Sequence, residues 1–175
     1  MDASHFVRAS FLGWVWCFVR LYVRAASGRQ RYNVLGALNA VTHELVTEIN
    51  TTYITATSVC ARLHKIAAIG SSVPVTLVLG DARYQRCALV QATAKGLGIE
   101  LLFLPSYSPN LNLIERLWKF TKKNALRGKT YTDFAAFQAA IDDCLDKTAT
   151  EYQERIKTLM TLEFQTFDKA SFLAA

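Results

Sequence analysis

Apolar and polar residues alternate through much of the first fifty residues, and this period of two is typical of β-strands with one buried face. The alternation is clearest over residues 14–24, and residues 27–30 carry the sequence of a turn. A second apolar run covers residues 32–41, and a short alternating run follows over residues 44–49. These runs predict that the chain opens as an antiparallel meander.

The period of the apolar residues then changes. Over residues 57–68 they recur at helical spacing. Residues 75–79 form a short apolar run typical of a strand buried on both faces, residues 82–97 resemble a helix, and a further apolar run over residues 99–104 is ended by Pro105. A strand, a helix and a strand within about thirty residues form a βαβ unit, so we expect these two strands to be parallel.

The rest of the chain has a helical pattern. One helix is predicted over residues 113–126, and Thr132 is the predicted N-cap of another, whose apolar stripe includes Phe137 and Ile141. Residues 148–160 form a further helical segment. Together these elements predict an α/β fold in which an antiparallel meander is joined to parallel βαβ strands and flanked by helices.

Composition narrows the class of protein. Apolar residues make up 51% of the chain and charged residues 19%, a balance typical of a globular protein with a hydrophobic core. A length of 175 residues suits a single domain over residues 1–175. Cys17, Cys60, Cys87 and Cys144 include no CxxC pair, so we expect reduced thiols and no zinc site. No apolar run reaches the roughly 18 residues that span a bilayer, and no signal peptide is visible. We therefore expect a cytoplasmic protein without a membrane partner.

Three carboxylates lie at positions where such a fold brings side chains together. Asp81 follows a predicted parallel strand, and ligands of α/β sheets gather at the carboxyl ends of strands. Glu115 lies near the start of a predicted helix, and Asp2 opens the first strand. Converging carboxylates bind Mg²⁺ or Mn²⁺, and two such ions about 4 Å apart support in-line phosphoryl transfer. The alternative for each acid is a helix cap or a solvated surface group.

Basic residues surround two of these acids. The net charge is +6 and the pI about 9.3, which favours a polyanionic partner such as nucleic acid. Lysines beside a metal-binding carboxylate can hold a phosphate backbone, whereas the alternative is an ordinary i, i+4 salt bridge between Glu115 and Lys119. The candidate DNA-binding residues are Arg83, Arg86, Arg116, Lys119, Lys122 and Lys123.

At these residues the sequence resembles the DDE-type transposases of bacterial insertion sequences and their mariner-type relatives. The run LLFLPSYSPNLNLIERLWKFTKK is similar to the family's Leu-Pro-x-Tyr-Ser-Pro-x-Leu-Asn-x-Ile-Glu stretch, which carries the last acid of a catalytic triad. LVLGDARYQRC resembles the segment with the middle acid, MDASHF the strand with the first acid, and RYNVLGALNA a following strand. The resemblance extends from Asp2 to about Leu145.

The resemblance implies a ribonuclease-H-like fold and DNA as the partner. It implies Mg²⁺-dependent or Mn²⁺-dependent cleavage at transposon ends and joining of the freed 3′-hydroxyl to target DNA by a homo-oligomer assembled on DNA. Carried over to this chain, the catalytic and metal-binding residues are Asp2, Asp81 and Glu115. The family's N-terminal helix-turn-helix region has no counterpart here, so we expect a catalytic-domain fragment or one reading frame of a split element.

Gly80 departs from the family pattern. The family leaves 34 residues between the middle acid and the glutamate, a count that Gly80 satisfies and that Asp81 misses by one. A shift of one residue in a strand sends a side chain to the opposite face. Two alternatives to an active transposase therefore stay open. One is a catalytically impaired remnant that only binds DNA non-specifically, and the other is a nuclease of the same fold unrelated to mobile DNA.

Overall fold

The computed structural model describes residues 1–8, 18–19, 30–106 and 108–164. The strand predicted over residues 14–24 therefore falls almost entirely outside the described residues. Within the part of the chain that is described, no helix has both the length and the apolar character needed to cross a membrane.

The first sheet has three antiparallel strands in the order β1-β2-β3. The strands are β1 (Asp2–Val7), β2 (Arg31–Leu38) and β3 (Leu45–Asn50). The strands predicted over residues 32–41 and 44–49 are confirmed as β2 and β3, although β2 ends at Leu38 and a turn follows. The register places Asp2 opposite Gly36. Directly opposite residues of an antiparallel pair lie on the same face of the sheet, so both face the same packed layer.

The second sheet confirms the predicted βαβ unit, because its two strands are parallel. Its elements are β4 (Val75–Leu79), α2 (Arg83–Arg86), α3 (Ala88–Gly96) and β5 (Ile99–Phe103). The single helix predicted over residues 82–97 is broken at Cys87, whose extended backbone interrupts the helical hydrogen bonds. Burial of β4 on both faces was also a wrong prediction, since Thr76 is exposed and donates a hydrogen bond to Glu100 (2.7 Å).

The remaining helices are α1 (Ala56–Ala68), α4 (Leu113–Thr121), α5 (Phe134–Asp146) and α6 (Gln153–Leu159). The N-cap of α5 is Asp133, not Thr132. The Asp133 carboxylate accepts a hydrogen bond from the amide of Ala136 (2.7 Å), while the Thr132 hydroxyl donates to Asp133 (3.1 Å). A carboxylate at the N-cap also gains from the positive end of the helix dipole.

Two of the predicted helices are irregular over part of their length. The helix predicted over residues 113–126 changes from α to π geometry after α4, where the amide of Arg127 donates to the carbonyl of Lys122 (3.0 Å). The segment predicted over residues 148–160 begins in a 3₁₀ turn and becomes helical only at α6.

The central strand β2 separates two hydrophobic cores. Tyr32 and Val34 pack with buried residues of α4 and α5 on one face. Leu35 and Ala37 pack with buried residues of α1, α3 and β4 on the other. Successive side chains of β2 point to opposite faces of the sheet, because side chains alternate with a period of two along a strand. The helices α4 and α1 therefore lie on opposite faces of the sheet.

The start of β1 lies beside the end of β4. The backbone nitrogen of Met1 donates a hydrogen bond to the carbonyl oxygen of Val78 (2.6 Å). Because α4 packs against the same strand region from one side, the first residue of β1, the carboxyl end of β4 and the first turn of α4 meet at one place.

Candidate active site

Asp2 and Glu115 lie side by side where β1 meets α4. Their carboxyl groups are within hydrogen-bonding reach of each other. Burial and the neighbouring Asp2 carboxylate raise the pKa of Glu115, while Lys122 and Lys119 act in the opposite direction. Two neighbouring carboxyl groups of this kind concentrate negative charge, which a bound cation would neutralise.

A glycine in β2 allows α4 to approach the sheet closely enough for this contact. A Cβ atom on residue 36 would lie 2.8 Å from Cη2 of Trp118 and 2.9 Å from Cδ1 of Ile114. Both side chains are buried, with 1% of their surface exposed. Since Ile114 directly precedes Glu115 and Gly36 lies opposite Asp2, this packing positions one carboxylate against the other.

Position 80 faces the Asp2 carboxylate, although glycine carries no side chain there. A Cβ atom on residue 80 would lie 3.9 Å from Oδ1 of Asp2 and 3.5 Å from Oε1 of Gln85. Gly80 follows the last residue of β4 directly, so a side chain at this position would project from the carboxyl end of a parallel strand. A carboxylate here would therefore lie beside that of Asp2.

Asp81 lies in different surroundings. Its carboxylate forms an ion pair with the guanidinium of Arg86 and accepts a hydrogen bond from the hydroxyl of Ser106. The structure does not bring it into the pair formed by Asp2 and Glu115, and the described residues contain no cluster of three or more His, Cys, Asp or Glu side chains able to hold a metal ion. The one-residue displacement along the chain explains this placement.

Gln85 is buried next to the site, and its position there was not predicted from the sequence. None of its surface is exposed, and within the described residues neither its amide oxygen nor its amide nitrogen has a hydrogen-bond partner. Its neighbour Tyr84 lies near Asp2, and burial together with the charge of the Asp2 carboxylate raises the pKa of the Tyr84 hydroxyl. A glutamine on a short helix between arginines gives no sequence signal of burial, since glutamine is usually a surface residue.

Two of the predicted DNA-binding residues are held by contacts within the protein. Arg86 pairs with Asp81 and lies over the ring of Phe103, 4.9 Å from its centroid. Arg116 donates hydrogen bonds to the backbone carbonyls of Leu159 (3.0 Å), Thr161 (2.7 Å) and Glu163 (2.8 Å). Arg116 therefore fastens the segment after α6 to α4 and has few donors left for a phosphate.

Arg116 and further basic residues line an open groove, the basic groove, between α4 and α6. It has a volume of about 500 Å³ and is lined by Arg116, Lys119, Phe120, Lys123, Arg155, Thr158 and Leu159. Arg155, which was not predicted from the sequence, lies over the rings of Phe120 (5.1 Å) and Tyr152 (5.4 Å). Stacking on aromatic rings holds the guanidinium in place while its charge still faces solvent.

The remaining predicted cations lie near the carboxylates or on the surface. Lys122 lies 5.8 Å from the ring centroid of Phe6, and Arg83 is exposed on α2. Among the ion pairs of the described residues, none joins Glu115 to Lys119, so the ordinary salt bridge considered from the sequence is not formed.

Comparison with known proteins gives two independent similarities. A sequence model of the family described as DDE superfamily endonuclease matches residues 18–138. Among solved structures, the fold is similar to a Mos1 transposase paired-end complex with left transposon end, at 12% identity and a TM-score of 0.63, covering 94% of this chain and 55% of that one. No curated protein sequence matches.

Two further solved structures give the same fold. A Mos1 strand transfer complex is 12% identical with a TM-score of 0.61, covering 91% of this chain and 54% of that chain. A Mos1 transposase catalytic domain with raltegravir and Mg is 12% identical with a TM-score of 0.52, and the match covers 95% of this chain and 85% of that one. The chain thus spans about half the length of the two Mos1 chains in DNA complexes. The predicted ribonuclease-H-like α/β fold is confirmed.

Proposed function

The chain belongs to the DDE superfamily endonuclease family, and from that premise we propose that it is a transposase catalytic domain that binds DNA and a divalent metal ion but cleaves DNA weakly. The reaction proposed is strand cleavage at transposon ends followed by strand transfer to target DNA. Weak cleavage is proposed because the site has two acids, Asp2 and Glu115, where the family pattern has three.

The observation that carries this proposal is the position of Gly80. The Cβ atom that it lacks would lie 3.9 Å from Oδ1 of Asp2, whereas Asp81 is paired with Arg86 and Ser106. A carboxylate at position 80 would therefore complete the site, and Asp81 in its present contacts leaves it incomplete. We propose that the metal-binding acids are Asp2 and Glu115, with Asp81 outside the metal site.

The two acids fit a divalent cation. They are within hydrogen-bonding reach, and burial together with their mutual repulsion raises the pKa of Glu115, so a positive ion would relieve an unfavourable arrangement. Oxygen ligands of this kind suit Mg²⁺ and Mn²⁺, and similar Mos1 structures include a paired-end complex with Mn and a catalytic domain with Mg. When bound, such an ion supplies Lewis-acid stabilisation of a phosphoryl oxygen.

The protein's own cations are proposed to hold the DNA backbone beside these acids. Lys119 lies both in the basic groove and close enough to Glu115 to oppose the rise in its pKa. Lys123 and Arg155 line the same groove and add to its positive charge. Cations close to the acids are suited to place a phosphate of the bound strand next to them.

Domain organisation and assembly are proposed from the structural similarity. Because the match covers 85% of the Mos1 catalytic-domain structure, we propose that residues 1–175 form one catalytic domain. Because a similar structure is a paired-end complex, we propose that the domain acts as a homo-oligomer on transposon-end and target DNA.

Nicking of supercoiled plasmid with Mg²⁺ or Mn²⁺ tests the proposal. We expect slow nicking by the natural protein, a rate at least about tenfold higher for Gly80→Asp and for Gly80→Asp combined with Asp81→Asn, and none when Glu115→Gln is added. Gly80→Asn is the matched control, because it adds a side chain of the same size without charge. Nicking by the natural protein that survives Glu115→Gln would show that the acids described here are not the catalytic site.

A DNA-binding remnant is the second candidate, favoured by the glycine at position 80 beside an intact basic groove. It predicts DNA binding in a mobility-shift assay, no nicking by the natural protein, and nicking restored by Gly80→Asp combined with Asp81→Asn. Joining of an oligonucleotide 3′-hydroxyl to plasmid by Gly80→Asp separates a transposase from a nuclease of the same fold, which would hydrolyse DNA without joining it.

A further inference from the structure

We propose that Gln85 is the third oxygen ligand of the divalent cation held by Asp2 and Glu115, in place of the carboxylate that Gly80 cannot provide. The inference rests on the proposed function, because it concerns the same site. It adds a residue that lies five positions after Gly80 on a different element, α2.

The side chain of Gln85 is buried without a partner at the site. It has no exposed surface, and in the described part of the chain both Oε1 and Nε2 lack hydrogen-bond partners. Buried polar side chains in proteins are almost always paired, so an unpaired amide calls for an explanation. Its oxygen faces the empty position next to Asp2, since Oε1 lies 3.5 Å from where a Cβ of residue 80 would be.

The same empty position links the amide to the acids. The Cβ location at residue 80 is 3.5 Å from Oε1 of Gln85 and 3.9 Å from Oδ1 of Asp2. A side chain at position 80 would occupy this space, and in its absence the amide oxygen and the Asp2 carboxylate border the space together. The absence of a side chain at Gly80 therefore leaves space for an ion that the amide oxygen of Gln85 can bind.

The chemistry of the three oxygen groups suits one hard cation. Amide carbonyls of Asn and Gln serve as ligands of hard divalent ions alongside carboxylates. Two carboxylates and one neutral amide carry two negative charges, which a single divalent ion balances, whereas three carboxylates leave a surplus for a second ion. We therefore propose that the natural site binds one divalent ion, and more weakly than a site with three acids.

Binding of Mn²⁺ alone, followed by electron paramagnetic resonance and by calorimetry, tests the proposal without any DNA or activity. We expect Gln85→Met, which keeps the length of the side chain but removes the oxygen, to weaken Mn²⁺ binding about tenfold, and Gln85→Glu to strengthen it. Gln153→Met on α6 is the matched control and should bind Mn²⁺ as the natural protein does. Gln153 is exposed to solvent, and its helix is far from the site residues in the sequence.

The outcomes separate this inference from the proposed function. Equal Mn²⁺ affinity in the natural protein, Gln85→Met and Gln85→Glu, with loss in Asp2→Asn, would overturn the role of Gln85 and leave the two-acid site intact. Absence of Mn²⁺ binding in the natural protein would overturn both. Should Gln85→Met fail to fold by circular dichroism, Gln85→Glu decides, because tighter binding by this variant requires residue 85 to face the ion.

Discussion

Trp118 occupies the space that a side chain on Gly36 would need. A Cβ atom on residue 36 would lie 2.8 Å from Cη2 and 2.9 Å from Cζ2 of the indole. Asp2 lies opposite Gly36 in the sheet, and Glu115 lies on the helix that carries Trp118. The contact between a glycine and an indole therefore sets the distance between the two acids of the site.

Gly36→Ala should destabilise the domain and weaken metal binding together. Forcing an extra carbon into a packed core typically costs about 1–3 kcal/mol, and movement of α4 to relieve the clash would carry Glu115 away from Asp2. The free energy of unfolding in urea and the Mn²⁺ affinity measure the two effects. Gly96→Ala is the control, because no atom lies within 4 Å of its added Cβ. A neutral Gly36→Ala would contradict the packing argument.

Glu115→Gln should stabilise the metal-free domain at neutral pH. Burial and the Asp2 carboxylate raise the pKa of Glu115, so ionisation of this group costs more in the folded state than in the unfolded state. This cost is absent below the unfolded pKa of about 4.3. It grows as the pH rises from there towards the raised pKa of the folded state, and it is fully present above that pKa. The increase in the free energy of unfolding caused by Glu115→Gln should therefore vanish at pH 4. At pH 7 it should reach at most about 1 kcal/mol, since solvent screens the charge of a half-exposed group.

Thermal unfolding of both proteins between pH 4 and pH 8 gives the measurement. Added Mg²⁺ should raise the melting temperature of the natural protein and leave that of Glu115→Gln nearly unchanged, because a ligand stabilises only the state that binds it. A stability difference between the two proteins that is the same at pH 4 and pH 7 would show that the charge of Glu115 is not the cause.

Asp81→Asn should leave the affinity for Mn²⁺ unchanged. Asp81 is engaged by Arg86 and Ser106, and a surface ion pair contributes about 1 kcal/mol or less to stability. Asp2→Asn, by contrast, should abolish binding. Calorimetry on the two variants gives a direct comparison, and loss of binding in Asp81→Asn would restore the triad of Asp2, Asp81 and Glu115 expected from the sequence.

Much of the fold could be predicted because it depends on periodic patterns. The strand predicted over residues 75–79 has those bounds in the structure, and the two parallel strands follow from the helical pattern between them. The break at Cys87 could not be predicted, because no proline or glycine marks it. The predicted N-cap of α5 was wrong by one residue because Thr132 and Asp133 are both good capping residues.

The site was harder to predict than the fold, because it depends on the direction of single side chains. The sequence contains an acid next to Gly80, but only the structure shows that residue 80 faces Asp2 and that Asp81 faces Arg86. Gln85 and other residues brought in from separate elements, such as Arg155, carry no local pattern. Their roles depend on tertiary contacts that no single segment encodes.

Gln85→Met should make the metal-free domain more stable while reducing its response to metal. An unpaired buried polar group costs about 1–3 kcal/mol, so an apolar side chain of the same length should stabilise the metal-free form by a similar amount. The increase in the free energy of unfolding that saturating Mn²⁺ produces should be smaller in this variant than in the natural protein. Urea unfolding with and without Mn²⁺ measures both effects, and a variant less stable than the natural protein without metal would show that the amide is paired.

Neutralising the basic groove should weaken DNA binding and flatten its dependence on salt. Lys119→Gln, Lys123→Gln and Arg155→Gln each remove one cation from the groove. Removal of a cation that neutralises one phosphate should lower the slope of log affinity against log salt by about 0.9. Lys65→Gln is the control, because Lys65 lies on α1 at the other face of the sheet and is held by Glu48 (2.5 Å).

Fluorescence anisotropy with a labelled duplex between 50 and 200 mM salt measures the slope of log affinity against log salt. This range is suitable because proteins that bind several phosphates typically lose affinity roughly tenfold or more across it. Arg155→Lys adds a sharper comparison. It keeps the charge but loses the planar stacking on Phe120 (5.1 Å), so it should retain the salt slope and lose only part of the affinity. A control that weakens binding as much as the groove variants would mean that DNA contacts the surface without preference for the side that carries Asp2 and Glu115.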